Sequence, residues 1–134
     1  MVKSIHRIYI AGILTPVGHF SANPAIDYLI AQREMIRWGW KALQAGFDPF
    51  VPALDSLFWL VMGEGEFMTE AMIKRYSKSW LEVCDALVLT PGWQNSKGTL
   101  AEIKRAEELG MPIYRSLDAL IKERNGSSRS DDKS

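Results

Sequence analysis

The residues with the clearest chemical potential lie together between Asp85 and Glu102. The apolar run Ala86 to Leu89, stopped by Pro91-Gly92, predicts a strand that is covered on both faces. A polar loop follows it, and a helix is expected from about Lys97 to Leu109. This order places a glutamate in the first turns of a helix that leaves a buried strand.

Glu102 falls on the side of this helix that should pack. At about 100° per residue, that side also holds Thr99, Ile103, Ala106, Leu109 and Gly110. In an open parallel sheet, ligands bind beyond the carboxyl ends of the strands, and this carboxylate would look into that crevice. Glu102 is therefore either a site carboxylate or a partly hydrated residue favoured there by the helix dipole. The spacing leaves both interpretations open.

Composition narrows the class of protein. The chain has 134 residues, enough for one domain with its own core. Its 16 basic and 16 acidic residues give no net field to attract nucleic acid polymers or anionic membranes. No apolar run approaches the roughly 18 residues of a membrane span, and the single Cys84 fits a reducing compartment as a buried, unreactive thiol. We therefore expect a soluble, cytoplasmic protein that lacks a signal peptide.

The order of the predicted elements indicates the fold class. Strands are expected over 5–11, 48–52, 86–89 and 111–114, and helices over 24–45, 66–82, 97–109 and 116–124. This alternation predicts a small doubly wound, Rossmann-like α/β domain, with about four parallel strands and helices on both faces. The domain would span residues 1–124, and the polar segment 125–134 would be a disordered tail.

Two further expectations concern packing. Asn23 should cap the first helix, with Pro24 at its first position. The core candidates of that helix are its large apolar residues: Ile26, Leu29, Ile30, Met35, Ile36, Trp40 and Leu43. The apolar stretch 54–67 is left open between a short helix, a lid and a subunit contact.

Standard cofactor and catalytic motifs are missing from the sequence. Gly12 and Gly18 do not have the dinucleotide-binding spacing, and no phosphate-loop lysine, Cys/His metal cluster or nucleophile elbow is present. We therefore expect no cofactor and no metal.

The remaining candidate ligand contacts each have two interpretations. Gly12 lets a ligand approach the backbone or forms a plain turn. His19, in the loop after the first strand, meets an anionic ligand or has no such role. Ser96 caps a helix or holds a phosphate, and Trp93 stacks on a base or packs in a core or interface.

Three segments of the chain resemble the nucleoside 2-deoxyribosyltransferase superfamily. They are Tyr9-Ile10-Ala11-Gly12, Ser79 to Leu89, and Ser96-Lys97-Gly98-Thr99-Leu100-Ala101-Glu102. The resemblance covers nearly all of residues 5–124 except 54–67. It includes the 2'-deoxynucleoside 5'-monophosphate N-glycosidases and is strongest for a branch of small uncharacterised bacterial and phage proteins. The order and spacing of the segments carry it, rather than any single motif.

The resemblance implies roles for particular residues. Glu102 would be the nucleophile and Tyr9 would orient it. Ser96 would contact a 5'-phosphate, and Gly98 in the same motif would belong to the substrate-binding residues. No metal or cofactor is implied. The substrate would be a small nucleoside or nucleotide, and relatives that complete their sites from a neighbouring subunit make a homo-oligomer the expected state.

One position departs from the family pattern. The family carries an aspartate eight residues before Asp85, where it assists at the sugar and the leaving base, and this chain has Ser77 there. Either Asp55 or Glu70 takes over this role, or the chemistry is slow, altered or absent.

Three functional hypotheses follow. The first is cleavage of an N-glycosidic bond, or deoxyribosyl transfer, on a nucleoside or nucleoside 5'-monophosphate through a covalent glycosyl ester of Glu102. The second is a nucleotide-binding module that has the fold without the chemistry. The third is an oligomeric interaction protein, indicated by the apolar stretch 54–67.

Overall fold

Four short parallel strands form the centre of the molecule. The computed structural model describes residues 4–14 and 23–132, with side chains described through residue 126. Strands β1 (Arg7–Ala11), β2 (Asp48–Phe50), β3 (Ala86–Leu89) and β4 (Ile113–Tyr114) form one sheet in the order β2-β1-β3-β4. The order reverses between β1 and β3, which gives the doubly wound topology.

Helices cover both faces of this sheet. They are α1 (Pro24–Gln44), α2 (Glu70–Leu81), α3 (Lys97–Glu108) and α4 (Leu117–Asp132), with 3₁₀ helices at Pro52–Val61 and Trp93–Asn95. Side-chain oxygens cap the helix starts as the sequence predicts for Asn23, Ser96 and Ser116. The predicted α/β, Rossmann-like fold class is confirmed.

Alternating strand residues divide the core into two clusters. Ile8 and Ile10 of β1 point to the face that α1 and α4 cover. Tyr9 and Ala11 point to the opposite face, against residues of α2 and α3. The first turns of α3 therefore share a face with the Tyr9 side chain.

The predicted core face of α1 is wrong. Of the seven large apolar candidates only Met35 is buried, whereas Ile26, Leu29, Ile30, Ile36, Trp40 and Leu43 are exposed. The helix instead packs through a stripe that includes Ala31, Gly39 and Ala42. A Cβ at Gly39 would lie 2.3 Å from Val51 Cγ2, so small residues are what allow this close approach. The large residues are consequently turned outward.

The middle and end of the chain also differ from expectation. Within the stretch 54–67 the structure has a 3₁₀ helix over Pro52–Val61 followed by a loop, which fits the short-helix alternative, and α2 begins only at Glu70, capped by Thr69. Helix α4 continues to Asp132, so the segment predicted to be a disordered tail is helical as far as that residue. Residues 125–132 hold no proline, and the lone Gly126 costs only about 1 kcal/mol of helix propensity.

None of the helices in the described part of the chain has the length and apolar character needed to cross a bilayer.

Candidate functional site

The candidate site lies at the carboxyl edge of the sheet, beside the point where the strand order reverses. Strand β1 ends at Ala11 and the paired strand β3 ends at Leu89, in register with it. The chain leaves β3 through a turn that contains Gly92 at φ 86°, a value that favours glycine, and enters α3 after Ser96. This path carries the first turns of α3 back over the end of β1.

Tyr9 and Glu102 meet at this point. The Tyr9 side chain is almost fully buried, and its hydroxyl forms a hydrogen bond with the Glu102 carboxylate. Burial, and then the neighbouring negative charge, raise the pKa of Tyr9 well above its ordinary value, so the phenol stays protonated and acts as the donor. The predicted pairing of these two residues is thus present.

The Glu102 carboxylate is only partly compensated. Burial raises its pKa from 4.5 to about 7, and the bond from Tyr9 opposes that rise. Its Oε2 atom is buried and has no hydrogen-bond partner among the residues that the structure describes. A buried carboxylate oxygen without a donor is costly for stability, and this is typical of a group that acts on a ligand. Of the two interpretations of Glu102, the geometry favours the site carboxylate.

Ser77 also belongs to this cluster. Its hydroxyl hydrogen-bonds to Tyr9 and lowers the pKa of that phenol, which identifies Ser77 as the donor. The three side chains therefore form a chain of donors that ends at a carboxylate, from Ser77 to Tyr9 to Glu102. From the sequence, Ser77 was noted only because it stands where the family has an aspartate. Its contact with Tyr9 depends on how α2 packs against β1.

The two acids considered as replacements for that aspartate lie in different surroundings. Glu70 is on the surface at the start of α2 and pairs with Lys74 at 2.8 Å, an arrangement that lowers the pKa of Glu70. Asp55, in the 3₁₀ helix over Pro52–Val61, has a pKa raised by burial and acts electrostatically on Tyr28 of α1. Neither carboxylate is among the groups that influence Tyr9 or Glu102.

Ser96 and Thr99 link the start of α3 to the end of β1. The Ser96 hydroxyl oxygen accepts from the Thr99 amide at 3.2 Å, and the two hydroxyl oxygens lie 2.9 Å apart. Thr99 Oγ1 also donates to the Gly12 carbonyl at 3.1 Å. Because a carbonyl only accepts, the Thr99 hydrogen goes to Gly12, and Ser96 donates its own hydrogen to Thr99. The capping role of Ser96 is confirmed, and its hydroxyl hydrogen is already used.

Gly12 and Gly98 are glycines for different reasons. A Cβ at Gly12 would lie 1.8 Å from Oγ1 of Thr90, the residue after β3, so this contact alone requires glycine there. Of the atoms that the structure describes, a Cβ at Gly98 would meet only Ser96 Oγ, at 3.9 Å, which is ordinary contact. Gly98 therefore has no packing reason to be glycine. It leaves the backbone of the first turn of α3 open to close approach.

Trp93 packs against the cluster around Tyr9 and Leu87, which fits the core interpretation of this residue. Phe50 at the end of β2 was not among the predicted residues. Its ring lies 5.3 Å from the ring of Tyr9 and 5.7 Å from that of Trp80, so an aromatic group borders the Tyr9 side of the site. Only the strand register, which places Phe50 opposite Tyr9, could have indicated it.

Two other residues considered from the sequence are His19 and Cys84. His19 lies outside the described residues. Cys84 is buried, and burial raises the pKa of its thiol to about 11, as expected of an unreactive cysteine. Among the residues that the structure describes, no group of three or more His, Cys, Asp or Glu side chains could hold a metal ion.

Comparisons with known proteins identify a family whose description gives no function. A family model described as "Domain of unknown function (DUF4406)" matches residues 6–115. The comparison with curated proteins found no match. A solved structure titled "Crystal structure of conserved protein from Enterococcus faecalis V583" is similar at 23% identity and a TM-score of 0.49. The match covers 82% of this chain and 62% of that chain, so this chain spans less than two thirds of that protein.

Proposed function

Since this chain belongs to the DUF4406 family, a domain of unknown function, we propose an activity from its own site: cleavage or transfer at the N-glycosidic bond of a nucleoside or nucleotide. Glu102 is the nucleophile in this proposal. The single observation that carries it is a carboxylate held by Tyr9, whose buried Oε2 has no hydrogen-bond partner in the described part of the chain, at the carboxyl edge where the strand order reverses.

The site has what a double displacement requires. In the first step an ionised Glu102 oxygen forms a bond to C1' while the bond from C1' to the base nitrogen breaks. The base leaves with the electron pair and takes a proton from water. In the second step water, or an incoming base, attacks C1' and gives its proton to the hydroxide left by the first step, the glycosyl ester breaks, and the carboxylate is restored. With water as acceptor the products are the free base and the sugar or sugar phosphate.

Tyr9 and Ser77 prepare the nucleophile for these steps. The bond from Tyr9 fixes one carboxylate oxygen and favours the charged form of Glu102, which is the reactive one. Ser77 donates to the Tyr9 oxygen, so the Tyr9 hydrogen remains directed at Glu102. Because the pKa of Glu102 is about 7, the reactive fraction rises through neutral pH.

A nucleoside 5'-monophosphate suits the start of α3. Among the described residues, the backbone N–H groups of Lys97 and Gly98 have no acceptor, and Gly98 leaves them accessible. These two donors and the positive end of the helix dipole would hold the phosphate. Ser96, whose hydrogen goes to Thr99, would shape this turn instead of donating to the phosphate.

The test is a chromatographic screen for free base released from the four deoxynucleosides and their 5'-monophosphates. We expect Glu102→Ala and Glu102→Gln to abolish release, and the exposed Glu107→Gln to retain it. Intact-mass measurement during turnover should reveal a glycosyl adduct that Glu102→Gln lacks. Full activity of either Glu102 variant would overturn the proposal.

A second candidate is a nucleotide-binding module without chemistry. It is favoured by the position of Ser77, which is engaged with Tyr9 and supplies no acid to protonate a leaving base. Under this alternative the same ligands bind, as measured by calorimetry, but concentrated protein releases no base over long incubation. Weakened binding by Gly98→Ala would then identify the site independently of turnover.

A further inference from the structure

Helix α1 presents its larger apolar residues to the outside of the molecule. Ile26, Leu29, Ile36, Trp40 and Leu43 recur at intervals of three and four, with a gap filled by Arg33, and each is at least 39% exposed. This spacing is the one by which a helix packs against a second helix. The sheet uses the opposite side of α1, so nothing within the described chain covers this stripe.

A groove continues this surface along the edge of the sheet. Strand β2 is an edge strand, and a cavity of about 550 Å³ lies along it between α1 and the end of α2. Trp40 and Leu43 line it from one side, and Trp80 and Val83 from the other. The groove is therefore mainly apolar, and the charged Arg7 and Asp48 also line it.

The 3₁₀ helix over Pro52–Val61 extends the same surface as a protrusion. Trp59 stacks on Tyr28 of α1, with ring centroids 6.3 Å apart, and Leu54 lines the groove. Leu60 and Val61 are 81% and 80% exposed. One chain thus carries both an apolar groove and an apolar projection beside it, which is the combination that a self-complementary contact needs.

The extent of this surface matches a protein interface. The fourteen exposed large apolar residues of α1, the 3₁₀ helix and the end of α2 together expose on the order of 1,000 Å². A stable interface buries about 800 Å² on each partner, whereas the largest apolar patch of a monomer is typically about 300–600 Å². The chain has no net charge, so two copies have no net repulsion to overcome.

A contact between two molecules at this surface would not extend the β-sheet. The Asp48 amide donates to the carbonyl of His6, the residue before β1, so the next residue of β2, Pro49, turns its backbone to the free edge. Proline has no N–H to donate, and a strand from another molecule would find no donor there. We propose that a second copy of this chain covers the α1 stripe and the β2 groove by side-chain packing, forming a two-fold dimer.

Sedimentation velocity of the full chain from low micromolar to submillimolar concentration tests this proposal. We expect the wild type to dimerise, and Leu43→Glu and Ile36→Glu to weaken the dimer by about a hundredfold or more, because each would bury an unpaired charge. Leu109→Glu is the matched control. Leu109 is similarly exposed on α3 but lines neither cavity, so this variant should remain dimeric.

Circular dichroism checks that each variant is folded, and Leu43→Ser replaces any glutamate variant that is not. A wild type that stays monomeric throughout the range overturns the proposal. So does a dimer that survives both α1 substitutions. Since the measurement needs no substrate, its outcome is independent of whether the protein releases base.

Discussion

The Tyr9 hydroxyl donates a hydrogen bond to the Glu102 carboxylate, and this bond joins the central strand β1 to the first turns of α3. Tyr9 is buried and Glu102 is half-buried, and the Oε2 atom of Glu102 is enclosed without a hydrogen-bond partner from residues 4–14 or 23–132. Packing thus keeps the Glu102 carboxyl away from water, which would stabilise its charged form better than the protein interior does. The consequences can be measured with or without a substrate.

The stability of the fold should depend on pH through Glu102. The pKa of this carboxyl is about 7 in the folded chain and near 4.5 when unfolded, so the folded state binds more protons between these values. The contribution of the Glu102 carboxyl to the free energy of unfolding is complete below about pH 4.5, and it is lost as the pH rises through 7. Glu102→Gln removes this dependence. Relative to wild type, the free energy of unfolding of the variant should rise by on the order of 3 kcal/mol between pH 4.5 and pH 8.

Urea denaturation at several pH values measures this difference. Glu107→Gln, on the exposed side of the same helix, serves as the control and should track the wild type at every pH. Parallel pH profiles for Glu102→Gln and the wild type would contradict the assignment of the raised pKa to Glu102.

Removing the Tyr9 hydroxyl should raise the pKa of Glu102 further. The bond from Tyr9 favours the charged carboxylate, and a hydrogen bond to a charged group contributes about 1.5–3 kcal/mol. Tyr9→Phe should therefore shift this pKa upward by about 1 or more. Ser77→Ala acts only through Tyr9 and should produce a smaller shift in the same direction.

Carbon-13 NMR of the glutamate carboxyl groups reports this titration directly. Tyr114→Phe is the matched control, because the Tyr114 hydroxyl bonds to Glu123 at a distance from the site. An unchanged Glu102 titration in Tyr9→Phe would show that the Tyr9 bond does not act on the nucleophile.

The strand and helix around Glu102 could be predicted from sequence because each boundary has a local cause. Pro91-Gly92 stops β3, and Ser96 caps α3 through its own side chain. The predicted packed side of α3 is confirmed for Thr99 and Ala106, which are fully buried. Leu109 on the same predicted side is 41% exposed, since it lies at the end of the helix.

The face of α1 that packs against the sheet could not be predicted, because two sides of that helix are suited to packing. Periodicity selects the side with the largest apolar residues, whereas close packing on β2 selects the side with Ala31, Gly39 and Ala42. The contact of Ser77 with Tyr9 was likewise hidden. It joins residues far apart in the chain, and only the packed structure brings them together.

The two glycines of the site should respond oppositely to alanine. Gly12→Ala forces a methyl group against Thr90 Oγ1 and should cost about 2 kcal/mol or more of folding free energy. Gly98→Ala meets open space, and alanine is the better helix former by up to about 1 kcal/mol. Thermal denaturation of both variants distinguishes these effects. If Gly98→Ala destabilised the fold as much as Gly12→Ala, the first turn of α3 would be packed rather than open.

The two serine caps should differ in their contribution to stability. Ser96→Ala and Ser116→Ala each remove an N-cap hydrogen bond, at a typical cost of about 1 kcal/mol. Ser96 has a second role, because its hydrogen satisfies the buried Thr99 hydroxyl that holds the Gly12 carbonyl. Its loss leaves a buried group short of a donor, so Ser96→Ala should cost about 1 kcal/mol more than Ser116→Ala. Urea denaturation of both variants, and of Ser96→Ala combined with Thr99→Val, measures the coupling. Equal costs for the two caps, with additive effects in the double variant, would mean that Ser96 serves the helix alone.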